Sequence, residues 1–320
     1  MIDYVKQDPI AALEQRRLST LATARLEQFY RSMFLIRYFE ERVLELFSEG
    51  QLFGTTHAYI GQEANAVGLL SHLTRDDIVF SNHRCHGHYL AYSDDVDGLL
   101  AEIMGRESGI CGGKGGSQHI CAGNFYTNGV LGGIVPCAAG IALAEKQKHS
   151  GAKVIVFIGD GALGEGVIYE TFNIAALWSL PMLFVVENNF YAQSTPSRLQ
   201  LSGEIAARPQ AFGIETVQCR PASVEDVHGL AGEAWAYIEH ERKPFCLILD
   251  TYRFCPHSKS DDHRDSAEIA AWQARDPLRR LAQQLNADRR NTIEQHVRAR
   301  IAQAVEQARA AAFPAVPAIT

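Results

Sequence analysis

Two runs of apolar β-formers, Val154-Ile155-Val156-Phe157-Ile158 and Leu183-Phe184-Val185-Val186, are each followed at once by oxygen-bearing residues. The first runs into Gly159-Asp160-Gly161-Ala162 and the second into Glu187-Asn188-Asn189-Phe190-Tyr191. Between them, Leu163 to Leu180 carries Ile168, Phe172, Ala175 and Ala176 at helical spacing and stops before Pro181. Strand, helix and strand in that order form a βαβ unit, which demands a parallel sheet. The carboxyl ends of neighbouring parallel strands share one edge, so Asp160 and Asn189 should meet at a ligand crevice.

Two ligands suit such a crevice. Gly159 to Gly164 satisfies G-x-G-x-x-G, and Glu187 ends the second strand, where a dinucleotide site keeps its ribose-binding acid. Against that reading, Asp160 would set a carboxylate beside a pyrophosphate, at about 4 kcal/mol for unit charges about 4 Å apart and an effective dielectric near 20. A divalent cation removes the objection. Mg²⁺ takes hard oxygens in an octahedral shell, with one or two carboxylates and the rest from carbonyls, water and phosphate. Asp160, the side-chain oxygen of Asn189 and a main-chain carbonyl near Tyr191 fit that shell, while the Gly161 and Ala162 amides at the helix start would cradle phosphate.

The rest of the chain fits a large α/β core. Its 320 residues are 47% hydrophobic, enough to bury one extensive core. A formal charge of −7 argues against nucleic acid as a partner. Cys85, Cys111, Cys121, Cys137, Cys219, Cys246 and Cys255 are odd in number and contain no C-x-x-C pair, so they indicate neither a disulfide framework nor a zinc site. Met1 to Pro9 lacks the apolar stretch of a signal peptide, and no apolar run reaches membrane-spanning length; cytoplasm is the expected location.

Leu18 to Phe47 reads as amphipathic helix through Leu26, Phe29, Met33, Ile36, Phe39, Val43 and Phe47. Phe53 to Gly133, rich in Gly, His and Ser, reads as ligand-shaped loops interrupted by short helices. Pro136 to Lys148 is an expected helix, Gln193 to Arg208 a polar loop, Ile214 to Cys219 a strand and Val224 to His240 a helix. Phe245 to Asp250 is an expected buried strand, Cys255 to Ser266 is charged, and Ile293, Val297, Ile301 and Val305 mark a closing helix.

Gly-Asp-Gly and Asn-Asn separated by the 26 residues Ala162 to Glu187 resemble the thiamine diphosphate motif. From about Arg37 to about Asp261 the chain resembles the alpha subunit of the thiamine diphosphate-dependent 2-oxo acid dehydrogenases, the decarboxylating first component of the pyruvate, branched-chain and acetoin complexes. The likeness is carried by Gly61-Gln62-Glu63-Ala64, His83-Arg84-Cys85-His86-Gly87, Gly113-Lys114-Gly115-Gly116-Ser117, Asn124-Phe125-Tyr126, Gly140 to Ala144, Ala176 to Pro181 and Tyr252-Arg253. It implies a thiamine diphosphate-binding α/β fold: a mostly parallel sheet with helices on both faces. One transketolase-like domain spans 1–320, with helical extensions at 1–50 and 267–320.

The resemblance also implies roles. Asp160, Asn189 and Tyr191 would hold Mg²⁺. Gly159, Asp160, Gly161, Ala162, Asn189, His83 and Arg84 would bind the cofactor, Arg84 gripping its diphosphate bidentately. Gly129 and Leu131 fall where the backbone meets the aminopyrimidine, and small residues permit that approach. His257 matches a histidine on a loop near thiazolium and diphosphate; His257 and His86 are the candidate catalytic histidines, and His57, His119 and Ser117 candidate lining residues. The glutamate that drives ylide formation comes from a separate beta chain, so the implied assembly is a heterotetramer with the cofactor at the interface and an isolated chain that is inactive.

Three departures bear on the substrate. Thr55 stands where phenylalanine is common, Gln118 replaces the methionine of G-S-M-H, and Gln193-Ser194 replace Met-Gly after Tyr191. Each makes the site more polar, and an unpaired buried polar group costs about 1–3 kcal/mol, so the choice of partner should shift. Transfer of an acyl unit from a 2-oxo acid such as pyruvate to a lipoyl domain is the first expectation. A carboligase using a polar small-molecule acceptor is the alternative. A nicotinamide-dependent oxidoreductase and a catalytically silent assembly subunit stand behind them, the latter disfavoured because Asp160, Asn189 and Arg84 are all present.

Overall fold

The computed structural model describes residues 23–220, 223–258 and 262–315; expectations for Met1–Pro9, for Leu18–Ala22 and for the last five residues lie outside them. The strands are β1 (Ile78–Ser81), β2 (Cys121–Ala122), β3 (Phe125–Thr127), β4 (Val154–Gly159), β5 (Met182–Asn188), β6 (Tyr191–Ala192), β7 (Thr195–Pro196), β8 (Glu215–Cys219) and β9 (Phe245–Asp250). The helices are α1 (Thr23–Ser48), α2 (Glu63–Leu70), α3 (Cys85–Ser93), α4 (Val96–Ile103), α5 (Ile134–Lys148), α6 (Gly166–Leu177), α7 (Ala207–Gln210), α8 (Val224–Glu241), α9 (Ser266–Gln273), α10 (Pro277–Ala282) and α11 (Ala287–Ala310).

β4 and β5 are apolar up to their last residues because both their faces are covered, and they lie at the centre of a seven-stranded sheet ordered β2-β3-β1-β4-β5-β9-β8. All its neighbours are parallel except the short β2–β3 pair. Side chains alternate between two cores. Ile155, Phe157, Leu183, Val185, Leu247 and Leu249 pack under α1 to α4, α8 and α11. Val154, Val156, Ile158, Phe184, Val186 and Ile248 pack under α5 and α6. The expected α/β architecture with helices on both faces is what the chain adopts. The C-terminal helix belongs to the first core through Val297, Ile301 and Val305.

Register then fixes the functional edge. Gly159 is opposite Glu187, and Asn188 is opposite Asp250, so the segments that follow β4, β5 and β9 emerge side by side. Beneath this edge, Arg37 of α1 bridges Glu63 (Nε to Oε1 2.5 Å) and Asp276 (Nη1 to Oδ2 3.0 Å). The Glu63 carboxylate also accepts the Gly61 amide at 3.1 Å. The Gly61-Gln62-Glu63-Ala64 segment is therefore a buried staple between α1, α2 and the start of α10.

The structure corrects three expectations. Phe53 to Gly133 is mostly loop with short helices, but it also holds β1, β2 and β3, and β1 pairs directly with β4. Four apolar-rich residues bounded by Asp76-Asp77 and Asn82 are too short for periodicity to reveal, and tertiary pairing makes the strand. The linking helix begins at Gly166 and not at Leu163, because Asp160–Gly164 forms a 3₁₀ turn. The polar loop after Tyr191 contains the β6–β7 hairpin, a 3₁₀ turn at Ser197–Leu199 and α7. No helix among the described residues is long and apolar enough to cross a membrane.

Candidate active site

β4 ends at Gly159 and its chain turns at once, which buries Asp160 to 1% exposure. Its Oδ1 accepts the Asn189 amide at 3.4 Å, and Ser197 Oγ donates to Oδ2. Burial pushes the Asp160 carboxyl above its ordinary range, against the bonds from Ser197 and Asn189 and the field of Arg253. A buried carboxylate answered chiefly by neutral donors is a place for a cation. Asn189 supplies the second oxygen: its Oδ1 faces the Tyr191 amide (3.3 Å) while its Nδ2 is held by Gln62 Oε1 (3.3 Å). Phe190 takes φ 67°, turning the chain so that Tyr191 enters the β6–β7 hairpin beside the turn. Gly161 has no room for a side chain, since a Cβ there would lie 2.9 Å from that of Ala192.

The two asparagines divide their work. Asn188 Nδ2 donates to Asp250 Oδ1 at 2.8 Å and ties β5 to β9, so only Asn189 reaches the crevice. Glu187 points the other way. It accepts from Tyr59 Oη, from Asn65 Nδ2 at 3.1 Å, and lies 3.4 Å from His88 Nε2. Burial opposes its charge, yet His88, Tyr59 and Asn65 together hold its carboxyl below the ordinary value. A carboxylate sealed under the sheet cannot bind a ribose, which removes the dinucleotide reading.

Beside the carboxylate lies a basic cluster. Arg84 is buried, with Nη1 donating to the Ala58 carbonyl at 2.9 Å and Nη2 donating to the His257 carbonyl and to His257 Nδ1, each at 3.0 Å. Burial, and then Arg253, push its pKa down to about 9; the guanidinium stays charged at neutral pH, and these hydrogen bonds among the described residues all go to neutral acceptors. The rings of His57, His83 and His257 meet at centroid distances of 4.5, 4.8 and 5.4 Å. Burial first, then Arg84, His57, His257 and Arg253, hold His83 well below the usual imidazole range. Neither ring nitrogen of His83 has a hydrogen-bond partner among the described residues.

Three imidazoles with ligand atoms within 4.8 Å of one another could hold a metal ion. The charges decide otherwise: a guanidinium donates to one of the three rings and Arg253 lies near, so the cluster suits an anion.

The other sequence candidates fall around this core. His86 is fully buried, its Nδ1 3.1 Å from Glu40 Oε2 and its Nε2 3.0 Å from Ser117 Oγ. It is thereby set under the crevice as a packing group and not open to a substrate, because both ring nitrogens are taken. Leu131 packs at the edge of the second core, and Gly129 faces Gln118, whose Oε1 lies 2.7 Å from where a Cβ would sit. His119 is exposed. Sequence reasoning missed Gln62, Ser197 and Arg253 as site members. Arg253 carried a usable signal, because Tyr252-Arg253 follows the third apolar run to end at this edge.

A buried acid and amide at parallel strand ends, beside an Arg–His cluster that suits an anion, are features of an enzyme subunit with a diphosphate cofactor. Known proteins give the same answer. Residues 30–317 match the family described as the dehydrogenase E1 component. The chain is similar to the pyruvate dehydrogenase E1 component subunit alpha of Zymomonas mobilis, at 40% identity over 270 residues that cover 82% of this chain and 76% of the relative. It is also similar to the acetoin:2,6-dichlorophenolindophenol oxidoreductase alpha subunits of Bacillus subtilis, 36% identical with 89% of each chain covered, and of Cupriavidus necator, 37% identical with 89% and 90% covered. The chain belongs to the dehydrogenase E1 component family, as an alpha subunit of the thiamine diphosphate-dependent 2-oxo acid dehydrogenase type.

Proposed function

We propose that this alpha subunit joins a beta subunit in a cytoplasmic, Mg²⁺-dependent heterotetramer that decarboxylates a 2-oxo acid such as pyruvate and passes the acyl unit to a lipoyl domain. The observation that carries the reading is the contact of Asp160 with Asn189, 3.4 Å from carboxylate to amide, beside the Arg84–His257 pair. Asp160, the Asn189 side-chain oxygen and the Tyr191 carbonyl would hold Mg²⁺. His83, Arg84 and His257, with the Gly161 and Ala162 amides, would hold the diphosphate, and the orphaned nitrogens of His83 fit that role. Gly129 and Leu131 would flank the aminopyrimidine. When bound, the cofactor supplies a nucleophilic carbon and an electron sink for decarboxylation.

The chain's own residues orient and charge the site. Arg84 fixes the segment carrying His257 by gripping both its ring and its carbonyl, so that the imidazole is presented at the anion. Glu40 and Ser117 lock His86 beneath it. A partner is also supported by the surface: Leu177 is 72% and Trp178 46% exposed at the end of α6, apolar area that a chain working alone would leave in water.

Co-expressed with its beta chain and given pyruvate, the enzyme should acetylate a lipoyl domain; turnover by the alpha chain alone, or none with both, would overturn the proposal. A second reading, two-carbon transfer to a polar acceptor, is favoured by Gln118, which brings an amide to His57. Preference for an aldehyde over the lipoyl domain in the same assay would select it.

A further inference from the structure

Gln118 stands where the family resemblance leads to methionine, and its surroundings give it a task. Its Nε2 lies 3.5 Å from the Thr55 carbonyl oxygen and 3.3 Å from His57 Nδ1. A carbonyl only accepts, so the end of the amide turned toward Thr55 must be the NH₂. The other end, Oε1, is turned to Gly129, where a Cβ would lie 2.7 Å from it. The Thr55 carbonyl thus fixes which way round Gln118 sits, a choice that an unconstrained amide leaves open.

An NH₂ that donates to Nδ1 requires a lone pair there, so the His57 proton is on Nε2. We infer that Gln118 is a positioning residue that holds His57 as the neutral Nε2–H tautomer, making it a hydrogen-bond donor within the His57–His83–His257 cluster. This rests on the proposed function and deepens it: the ring is set to meet the oxygen of a substrate carboxylate or carbonyl. Protonating His57 would place a second N–H against the Gln118 NH₂, so Gln118 also resists formation of the imidazolium. Among the described residues, the rings of His83 and His257 face His57, with Arg84 behind His257.

Two measurements test the assignment separately. In long-range ¹H–¹⁵N spectra of the full chain labelled at histidine nitrogen, with His57 assigned by its loss in His57→Asn, the wild type should show Nδ1 bare and Nε2 protonated. Gln118→Glu should move the proton to Nδ1 and raise the pH at which the ring titrates. In the assembled enzyme, Gln118→Met should lower kcat/KM for the 2-oxo acid about tenfold while cofactor affinity stays the same. There Gln118→Glu should shift the acid limb of the pH profile upward by about one unit. A wild-type His57 protonated at Nδ1, or a tautomer unmoved by Gln118→Glu, would overturn the inference. The spectra need no turnover, so absence of decarboxylation would sink the proposed activity and leave this result standing. Gln118→Met, which matches the residue the resemblance expects, covers the case in which the glutamate variant misfolds.

Discussion

Replacing Asp160 by asparagine should change stability in opposite directions with and without cofactor. The substitution keeps the shape and can keep both hydrogen bonds, since Oδ1 still accepts the Asn189 amide and the new Nδ2 can donate to Ser197 Oγ. It removes a carboxylate whose burial raises its pKa above the ordinary value. For an acid whose folded pKa is raised, stability is greatest when the group is protonated and declines as pH climbs from the unfolded value through the folded one. At neutral pH the free wild-type chain therefore carries that cost, and Asp160→Asn should melt higher. With Mg²⁺ saturating and thiamine diphosphate at about a hundred times its dissociation constant in that Mg²⁺, the cofactor gives the wild type about 2.7 kcal/mol. Given an unfolding entropy of roughly 2.1 cal/mol/K per residue over 320 residues, that gain is a rise of about 4 °C. The variant should show no such rise at the same concentrations, and neither chain should respond to Mg²⁺ alone as it does to both ligands. Differential scanning calorimetry on the four combinations decides it. A variant that keeps the full ligand-induced shift, or melts below the wild type when free, would refute the assignment of Asp160 as the metal carboxylate.

Three further outcomes follow from neighbouring residues. His83 is held well below the usual imidazole range in the free chain, and a bound diphosphate would raise it, so cofactor binding near pH 6 should take up a proton; calorimetry in buffers of different ionisation enthalpy should show this, and His83→Asn should abolish it. Glu187→Gln should destabilise the fold by about 1–3 kcal/mol, read from thermal melts, and leave cofactor affinity unchanged, because the carboxylate serves Tyr59, Asn65 and His88. The native Glu187 contribution is present above the ordinary glutamate pKa and is lost as pH falls through the depressed folded value, so the two chains should converge in acid. Phe172→Ala, deep in the core between α6 and β5, should cost about 3–5 kcal/mol by urea titration, and a smaller loss would mean that the α6 face is not the packed one.

What could be read from residue order was what local pattern encodes. The runs 154–158, 183–186 and 245–249 are apolar at every position, which only a doubly covered strand needs, and the residues just past them had to lie on one edge. Asp160, Asn189 and Tyr191 follow from that alone. Ile78–Ser81 does not: its pairing with Val154 to Val156 is long-range, and its flanking aspartates, of which Asp77 accepts the Lys153 amide at 2.8 Å, look like loop residues until the partner is known. The reading of Glu187 as a ribose-binding acid misled for a related reason. A strand-end acid can face either side of a sheet, and only the positions of Tyr59, Asn65 and His88, more than ninety residues earlier in the chain, settle which. The fate of His86 was hidden in the same way, since Glu40 lies on a different helix.

The site is built from two halves that each oppose folding when empty. Asp160 is a buried negative charge with mostly neutral neighbours, and Arg84 is a buried positive charge made worse by Arg253 and offset only in part by Glu40 and Glu187. They are not close enough to satisfy each other directly: Asp160 turns to Ser197 and Asn189, and Arg84 to Ala58 and His257. A lone cation would relieve the first half and aggravate the second; a lone anion would do the reverse. On the proposed function, a divalent cation joined to a diphosphate would relieve both at once, where either component alone would not. A dinucleotide would leave Asp160 unanswered, since its pyrophosphate brings no metal. The polar atoms at Thr55 and Gln118 are a separate layer, acting on the donor state of His57 and so on what is recognised after the cofactor is in place.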